Sequence, residues 1–210
     1  MSEEQRRALI EAALDMNRSG LNTGTSGNLS VRAEGGMLIT PSALRYEQMQ
    51  LDDIVSVKDD GTGAGRRRPS SEWRIHRDVY AARPDASAIL HAHPAACAAL
   101  ACLRRPIPAF HYMVAVAGGR DIRCSEYATF GTQALSDHVL SALEDRMACL
   151  MGNHGLICLG PDLNAVLALA IEIEHLAAIY LKCLAVGEPP ILPDDEMDRV
   201  LEKFADYRQP

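Results

Sequence analysis

The 210-residue sequence contains no cysteine pair spaced as C-x-x-C, although six cysteines are present. Hydrophobic residues make up 48% of the chain and charged residues 23%, which is the composition of an ordinary globular protein. A chain of this length buries a large core without needing disulfides. We therefore interpret the cysteines as reduced thiols that mostly fill the core, and we expect a cytoplasmic protein. They stand at positions 97, 102, 124, 149, 158 and 183.

Basic charge and long apolar runs are also scarce. Twenty-one Lys and Arg side chains stand against 28 Asp and Glu side chains, which gives a net charge of -7. This balance argues against general binding to nucleic acid or to an anionic membrane. The most apolar long stretch, 163–186, is interrupted by charged and histidine side chains, so it favours a buried or interface helix over a membrane span. The N-terminus is charged and amphipathic, unlike a secretory leader.

Helical and strand patterns are interspersed along the chain, and its length favours one domain over residues 1–210. Residues 61–69 have the composition of a mobile loop, and we interpret Arg66 to Arg68 as its solvated face. The order of elements suggests α/β layers with a partly antiparallel sheet. Apolar spacing predicts helices at 3–18, 72–83, 94–103, 129–143, 162–186 and 195–205, and strands at 29–32, 37–40, 52–58, 86–93, 147–151 and 156–159.

The sharpest local feature is the pair His91 and His93. Alternate residues of a strand point to the same face, so the two imidazoles suit adjacent positions on one metal ion. A third histidine, His154, stands in a Gly-Asn-His-Gly turn between two apolar strands. Three neutral imidazoles leave one coordination position open, as in catalytic zinc sites. A hydrogen-bonded core position is the commoner role of a single histidine, but the three together favour a metal.

Three turns rich in hydroxyl groups are candidates for an anion site. They are the segment Thr25 to Asn28, the segment that ends at Ser42, and the pair Ser70-Ser71 before a helix. Free N–H groups at a helix start favour negative charge, and Gly27 lets the main chain approach a ligand closely. Each turn alone is a common cap, and Ser71 is a candidate N-cap. If the turns converge, they suit one phosphate.

Three more side chains have useful chemistry but ambiguous positions. Glu72 is either a routine partner of the helix dipole or a general base near a cation. Tyr112 is either a half-buried aromatic or a proton donor. His76 follows Glu72 by one helical turn. We interpret His76 as a core histidine, with a supporting role beside the metal as the alternative.

Taken together, these segments resemble the class II aldolase/adducin family. The resemblance runs in family order over nearly the whole length, including the tail 200–207. It implies an α/β fold in a single domain, with a central, mostly antiparallel sheet flanked by helices on both sides. It also implies a homotetramer with active sites at subunit interfaces. The matching segments are 21–32, 37–47, 69–94, 107–119, 127–138 and 152–160.

The resemblance also implies roles for individual residues. His91, His93 and His154 would bind one zinc ion per subunit. Glu72 would be the acid–base carboxylate and a further zinc ligand in the empty site, and Tyr112 would reach the site from a neighbouring subunit. The phosphate-binding positions would be Thr25, Gly27, Asn28, Ser42, Ser70 and Ser71, and the aldehyde pocket would be lined by Phe130, Phe204 and Tyr207.

The activity implied is the reversible, zinc-dependent cleavage of a ketose 1-phosphate to dihydroxyacetone phosphate and an aldehyde. L-fuculose 1-phosphate or a similar deoxy-ketose phosphate is the expected substrate. Glu72 argues against the family's epimerases, which carry Asp there. Ala43 stands where related aldolases typically have glycine, which loosens the substrate assignment. Two alternatives remain open: a dehydratase of 5-methylthioribulose 1-phosphate, and an inactive interaction module like adducin.

Overall fold

The computed structural model describes residues 3–207, with side chains for residues 3–205. Six α-helices and eight strands account for most of the predicted elements. The helices are α1 (Glu3–Arg18), α2 (Trp73–Ala82), α3 (Ala95–Cys102), α4 (Gln133–Ala142), α5 (Leu163–Leu184) and α6 (Asp194–Tyr207). The strands are β1 (Asn28–Ala33), β2 (Gly36–Ile39), β3 (Val55–Lys58), β4 (Gly63–Ala64), β5 (Ala88–Ala92), β6 (Cys124–Ser125), β7 (Ala148–Met151) and β8 (Gly155–Gly160).

All eight strands form one sheet in the order β4-β3-β2-β1-β5-β8-β7-β6. Every neighbouring pair is antiparallel except β6 and β7, which run parallel. The predicted fold class, a central and mostly antiparallel sheet flanked by helices, is therefore confirmed. The strands next to the centre are β1, β5 and β8, and β5 and β8 are buried along their whole length because helices cover both of their faces.

Alternation along the strands divides the core into two layers. On one face, Leu29 and Leu90 pack with α1, α3 and α5, and on the other face Ile39 and Ile89 pack with α2 and α4. Side chains of opposite parity point to opposite faces of a sheet. Asn28 is paired directly with His91 across β1 and β5, so both side chains belong to the α2 face. This register decides which polar groups can meet.

Three local predictions are wrong in detail. Asp53 is not in a strand: residues Leu51–Asp53 form a short 3-10 helix before β3. The loop at 61–69 contains β4, and Arg66 and Arg67 both bind the buried Asp53 carboxylate instead of forming a purely solvated face. Ser71 is not the N-cap of α2, because Glu72 occupies that position. The contacts of Arg66 and Arg67 with Asp53 span thirteen and fourteen residues, so local composition does not predict them.

Within residues 3–207, no helix has the length and apolar character that crossing a membrane requires.

Candidate active site

The imidazole rings of three histidines lie close together. His91 lies near the end of β5, His93 lies just beyond it, and His154 lies in the turn between β7 and β8. Their ring centroids are 4.7 to 4.9 Å apart. One nitrogen of each ring lies within 4.8 Å of the others. The predicted cluster of three imidazoles is therefore present.

The backbone of the β7–β8 turn is shaped to bring these rings together. Asn153 has a φ of 54°, in the left-handed region that asparagine tolerates better than most residues. At Gly155, a Cβ atom would lie 2.5 Å from the carbonyl oxygen of Ala92 and 2.6 Å from Cδ2 of His93. The turn therefore needs glycine at this position so that His93 can occupy its place.

The hydrogen bond of His91 to the main chain fixes which nitrogen faces the cluster. Its Nδ1 is 2.9 Å from the carbonyl oxygen of Leu156, which only accepts, so Nδ1 carries the proton. Nε2 then faces the other groups: it donates to Glu72 when the ring is protonated, and it presents a lone pair when the ring is neutral. It lies 3.0 Å from Nε2 of His93 and 3.0 Å from Oε2 of Glu72. A lone pair directed at a carboxylate is favourable only when a proton or a cation lies between them.

Glu72 is a buried carboxylate with one oxygen left unsatisfied. Its Oε2 accepts a hydrogen bond of 3.1 Å from the side-chain amide of Asn28. Its Oε1 has no hydrogen-bond partner among the described residues and lies 3.3 Å from Nε2 of His154. Burial raises the pKa of Glu72, but the charge and hydrogen bond of His91, together with His154 and Asn28, outweigh it and hold that pKa well below its usual range. The group is therefore an anion at neutral pH.

The donor set fits a divalent metal ion. Burial, with the neighbouring His91, lowers the pKa values of His93 and His154 to about 4, so both rings are neutral and able to coordinate at neutral pH. Burial alone would lower the pKa of His91, but the Glu72 carboxylate raises it. The site thus concentrates negative charge and lone pairs where a cation would sit. Three imidazoles and an orphaned carboxylate oxygen are ligands typical of zinc.

A second carboxylate holds the segment that follows His93. Glu174, in α5, accepts hydrogen bonds of 2.8 and 2.9 Å from the backbone N–H groups of Ala96 and Cys97, at the start of α3. Negative charge at a helix N-terminus is stabilising. Sequence reasoning did not identify Glu174; its one signal is a carboxylate inside an otherwise apolar helix. It anchors the chain three and four residues beyond His93.

The three hydroxyl-rich turns converge beside this cluster. The backbone N–H of Ser70 donates to the carbonyl of Thr40 at 3.1 Å, and that of Ser42 donates to Arg68 at 3.1 Å. Gly27 lies against the same strands, because a Cβ there would be 2.8 Å from the carbonyl oxygen of His91. The Ser70 hydroxyl accepts a bond of 3.3 Å from the N–H of Glu72. Of the remaining predicted phosphate positions, Asn28 is buried, while Thr25, Ser42 and Ser71 are exposed.

The predicted aldehyde-pocket residues separate into two places. Phe130 is exposed and lies near Ser71, since a Cβ on Gly131 would be 3.1 Å from the Ser71 carbonyl oxygen. Tyr112 and Phe204 stack on each other, with ring centroids 6.5 Å apart. The 3-10 helix Tyr112–Ala117 packs on the α5 side of the sheet, opposite Glu72. The side chain of Tyr207 lies outside the described residues.

Comparison with known proteins agrees with this geometry. Residues 7–181 match the family model described as Class II Aldolase and Adducin N-terminal domain. A Rhodospirillum rubrum protein named 5-methylthioribulose-1-phosphate/5-deoxyribulose-1-phosphate aldolase is 55% identical over 202 residues, which cover 96% of this chain and 91% of that protein. L-fuculose phosphate aldolase of Escherichia coli strain K12 is 49% identical over 202 residues, with coverage of 96% and 94%.

The fold agrees as closely as the sequence. A solved structure of L-fuculose 1-phosphate aldolase is similar with a TM-score of 0.94 at 41% identity, and the match covers 98% of each chain. The family match spans most of the chain, and both curated relatives are covered almost completely. The chain therefore belongs to the class II aldolase and adducin family, as an enzyme of the class II aldolase type.

Proposed function

We propose that this enzyme reversibly cleaves a ketose 1-phosphate to dihydroxyacetone phosphate and an aldehyde, with zinc as its metal. The observation that carries the proposal is the convergence of His91, His93 and His154 on the buried Glu72. A module with a purely structural role has no need for an unsatisfied buried carboxylate, because such a group costs stability. The arrangement therefore supports catalysis over an inactive interaction module.

The substrate we propose ends in a carbon that carries no hydroxyl group. The relatives are named for L-fuculose phosphate, 5-deoxyribulose 1-phosphate and 5-methylthioribulose 1-phosphate. These three ketose phosphates share the phosphate at C1 and end in a methyl or methylthio group. Cleavage between C3 and C4 would give the same phosphate product from each of them. The three would differ only in the aldehyde released.

The proposed chemistry divides between the metal and Glu72. Zinc held by the three imidazoles would supply Lewis-acid polarisation of the substrate carbonyl. The Glu72 carboxylate would remove the proton from carbon in the condensation direction and return it to C3 after cleavage. Its anionic state and its fixed position beside Asn28 suit a base that exchanges one proton.

The phosphate group would bind in the converging turns. Backbone N–H groups and hydroxyls provide neutral hydrogen-bond donors that hold an anion without a neighbouring lysine. Gly27 contributes close approach of the main chain, and Ser70 lies directly beside Glu72. The proposed phosphate site would then lie next to the acid–base group. The residues proposed to form it are Thr25, Gly27, Asn28, Ser42, Ser70 and Ser71.

Tyr112 would complete the site of a neighbouring subunit in a homotetramer. Its ring is 51% exposed and packs on the side of the sheet opposite Glu72 in its own chain. A groove of about 550 Å³, to which Met113 of the same 3-10 helix contributes, is lined mainly by apolar side chains that include Leu159 and Leu169. Apolar surface of this kind favours association. Tyr112 would then take the proton of the C4 hydroxyl, and Phe130, Phe204 and Tyr207 would be the residues of the aldehyde pocket.

A parallel cleavage assay tests the proposal. Zinc-loaded protein would receive L-fuculose 1-phosphate, 5-deoxyribulose 1-phosphate and 5-methylthioribulose 1-phosphate separately, with coupled detection of dihydroxyacetone phosphate. We expect release from at least one of the three, and the ratio of kcat/KM values identifies the aldehyde. Loss of water from 5-methylthioribulose 1-phosphate without dihydroxyacetone phosphate would establish the dehydratase instead. No reaction with any of the three would overturn the proposed substrate class.

A further inference from the structure

A row of buried polar side chains runs from Tyr80, near the C-terminal end of α2, to Glu72 at its N-terminal end. Its members are Tyr80, Ser30, His76 and Asn28, and each is no more than 6% exposed. His76 touches none of the three histidines directly; it acts at one remove, through Asn28. Polar groups buried this deeply cost stability unless they are hydrogen-bonded. Each member of the row therefore needs its neighbours as hydrogen-bond partners.

Two sequence periods build the row. Glu72, His76 and Tyr80 are spaced by four residues, which places them on one face of α2. Asn28 and Ser30 are spaced by two residues on β1, which places them on the face of the sheet that α2 covers. The helix face and the strand face interdigitate. The result is a continuous chain of four hydrogen bonds ending at the carboxylate.

The hydrogen bonds can run in one direction only. The Glu72 carboxylate accepts, so the Asn28 amide turns its N–H towards it, at 3.1 Å, and its oxygen towards His76. Nε2 of His76, 2.6 Å from that oxygen, must then carry the proton. Nδ1 accepts from the Ser30 hydroxyl at 2.7 Å, and Ser30 accepts from the Tyr80 hydroxyl at 2.9 Å. Every donor in the row points towards Glu72.

The far end of the row is anchored to the main chain. The Arg32 guanidinium lies 4.7 Å from the centre of the Tyr80 ring and donates to the carbonyl oxygens of Tyr80 and Arg83 at 2.9 and 2.8 Å. Burial holds the pKa of His76 at about 3, with the charge of His91 adding to the effect. His76 is therefore a neutral ring with one tautomer imposed by its neighbours.

We propose that His76 is a positioning residue for catalysis: its Nε2–H fixes the Asn28 amide, and the amide fixes the Glu72 carboxylate against the three imidazoles. A rotated Asn28 would direct its oxygen at the carboxylate and repel it. The catalytic part of this inference rests on the proposed role of Glu72 in proton transfer. The tautomer of His76 and the direction of the row are independent of any substrate.

Two substitutions of His76 distinguish the contribution of its N–H donor from the contribution of its side-chain volume. His76→Met fills the cavity without a donor, whereas His76→Gln provides an amide N–H at the level of Nε2. We expect His76→Met to lower kcat by about 10- to 100-fold, the usual effect of losing an outer partner of a metal site, with KM changed less than about 3-fold. His76→Gln should recover most of that loss. Metal content should stay at the wild-type level in both.

Val79→Ala is the matched control, because Val79 is fully buried on the same core-facing side of α2 and its apolar side chain takes no part in the row. All variants would be compared at equal fractions folded, measured by thermal unfolding. The inference is wrong if His76→Met keeps kcat within about 2-fold of wild type, or if His76→Gln is no better than His76→Met at equal stability. A loss that Val79→Ala reproduces would likewise assign His76 a structural role only.

A second readout does not depend on activity. Magic-angle-spinning ¹⁵N NMR of protein labelled at histidine distinguishes protonated from unprotonated ring nitrogens, and His76→Gln assigns the signal. We expect His76 to carry its proton on Nε2, unchanged between pH 5.5 and 8.5, and Ser30→Ala to weaken this preference. A proton on Nδ1 would overturn the inference even if the enzyme is active. The expected tautomer in a protein that cleaves no ketose phosphate would instead count against the proposed function.

Discussion

At the scale of single residues, opposing effects of burial and of neighbouring groups set the charge state of Glu72. Burial opposes its charge, while His91, His154 and Asn28 favour it, and the net effect is a low pKa. A buried anion with an unsatisfied oxygen attracts a cation. The same atoms therefore explain why the site attracts metal and why the carboxylate can act as a base.

Glu72→Gln separates these two roles. The glutamine keeps the shape and still accepts from Asn28, and the three imidazoles remain to bind zinc. We expect about one zinc per chain, as in the wild type, and a loss of turnover on the order of 10²- to 10⁴-fold, because proton transfer is removed. Metal analysis and steady-state kinetics on the same sample measure both. Turnover near the wild-type level in the metal-loaded variant would contradict the role of Glu72.

Asp53 gives the fold a specific sensitivity to acid. Burial raises its pKa, but hydrogen bonds from Arg67, from the N–H of Gln50 and from Arg66 lower it to about 2, compared with an ordinary value of 3.8. A lowered folded-state pKa stabilises the protein above pH 3.8, and this contribution disappears as the pH falls towards 2.

Urea unfolding of wild type and Asp53→Asn checks this sign. We expect the variant to be less stable at pH 6, with the difference in unfolding free energy shrinking between pH 4 and pH 3. A difference that stays constant, or grows in acid, would show that the Asp53 ion pairs do not set this dependence.

The metal ligands are predictable from sequence, whereas their supporting residues are not. His91 and His93 share a strand face by the two-residue period alone, and His154 stands out in its glycine turn. The contact of Asn28 with Glu72 depends on the register between β1 and β5 and on how α2 lies on the sheet. Neither is encoded in local spacing, so the sequence alone predicts only a core histidine at His76.

At the scale of elements, the β7–β8 turn positions His154 and determines how much space the His93 ring has. In Gly155→Ala, the new methyl group would overlap the Ala92 carbonyl and the His93 ring. We expect zinc affinity to fall by about 10- to 100-fold, because a ligand ring is displaced, and the melting temperature to fall with it. Gly187→Ala is the control, since that position has open space around it and no positive φ.

Competition with a chromogenic chelator measures the zinc affinity of the two variants. Equal affinities in Gly155→Ala and Gly187→Ala would mean that the turn adjusts without moving His93, and that the close approach at Gly155 does not determine the site.

Elements with a strong local period were predictable, and those fixed by distant charge were not. α1, α5 and the hairpin of β1 and β2 lie where apolar spacing predicts them. The 3-10 helix Leu51–Asp53 and strand β4 depend on Asp53, which pairs with Arg66 and Arg67 thirteen and fourteen residues away. Composition describes residues 61–69 as a free loop because it contains no information about that buried partner.

At the scale of the whole molecule, the proposed tetramer makes a prediction about mixed subunits. Tyr112→Phe and Glu72→Gln should each be nearly inactive alone, because each site would need Glu72 from one chain and Tyr112 from its neighbour. After subunit exchange in equal amounts, about a quarter of the sites of a cyclic assembly should contain both intact residues. We expect activity to recover to about that fraction of wild type.

Exchange itself can be followed with two fluorescent labels in the same mixture. Complete exchange without recovery of activity would show that Tyr112 and Glu72 do not meet between chains. Recovery in a sample that sedimentation shows to be monomeric would equally reject the shared site.

The central claim is that the three imidazoles hold the metal that Glu72 needs for aldol cleavage. The most direct measurement is a zinc titration of chelator-stripped protein, with release of dihydroxyacetone phosphate followed from whichever ketose 1-phosphate is cleaved best. We expect no activity without metal and a linear rise that ends at about one zinc per chain. Full activity in the stripped protein, or a rise that continues well beyond one zinc per chain, would contradict it.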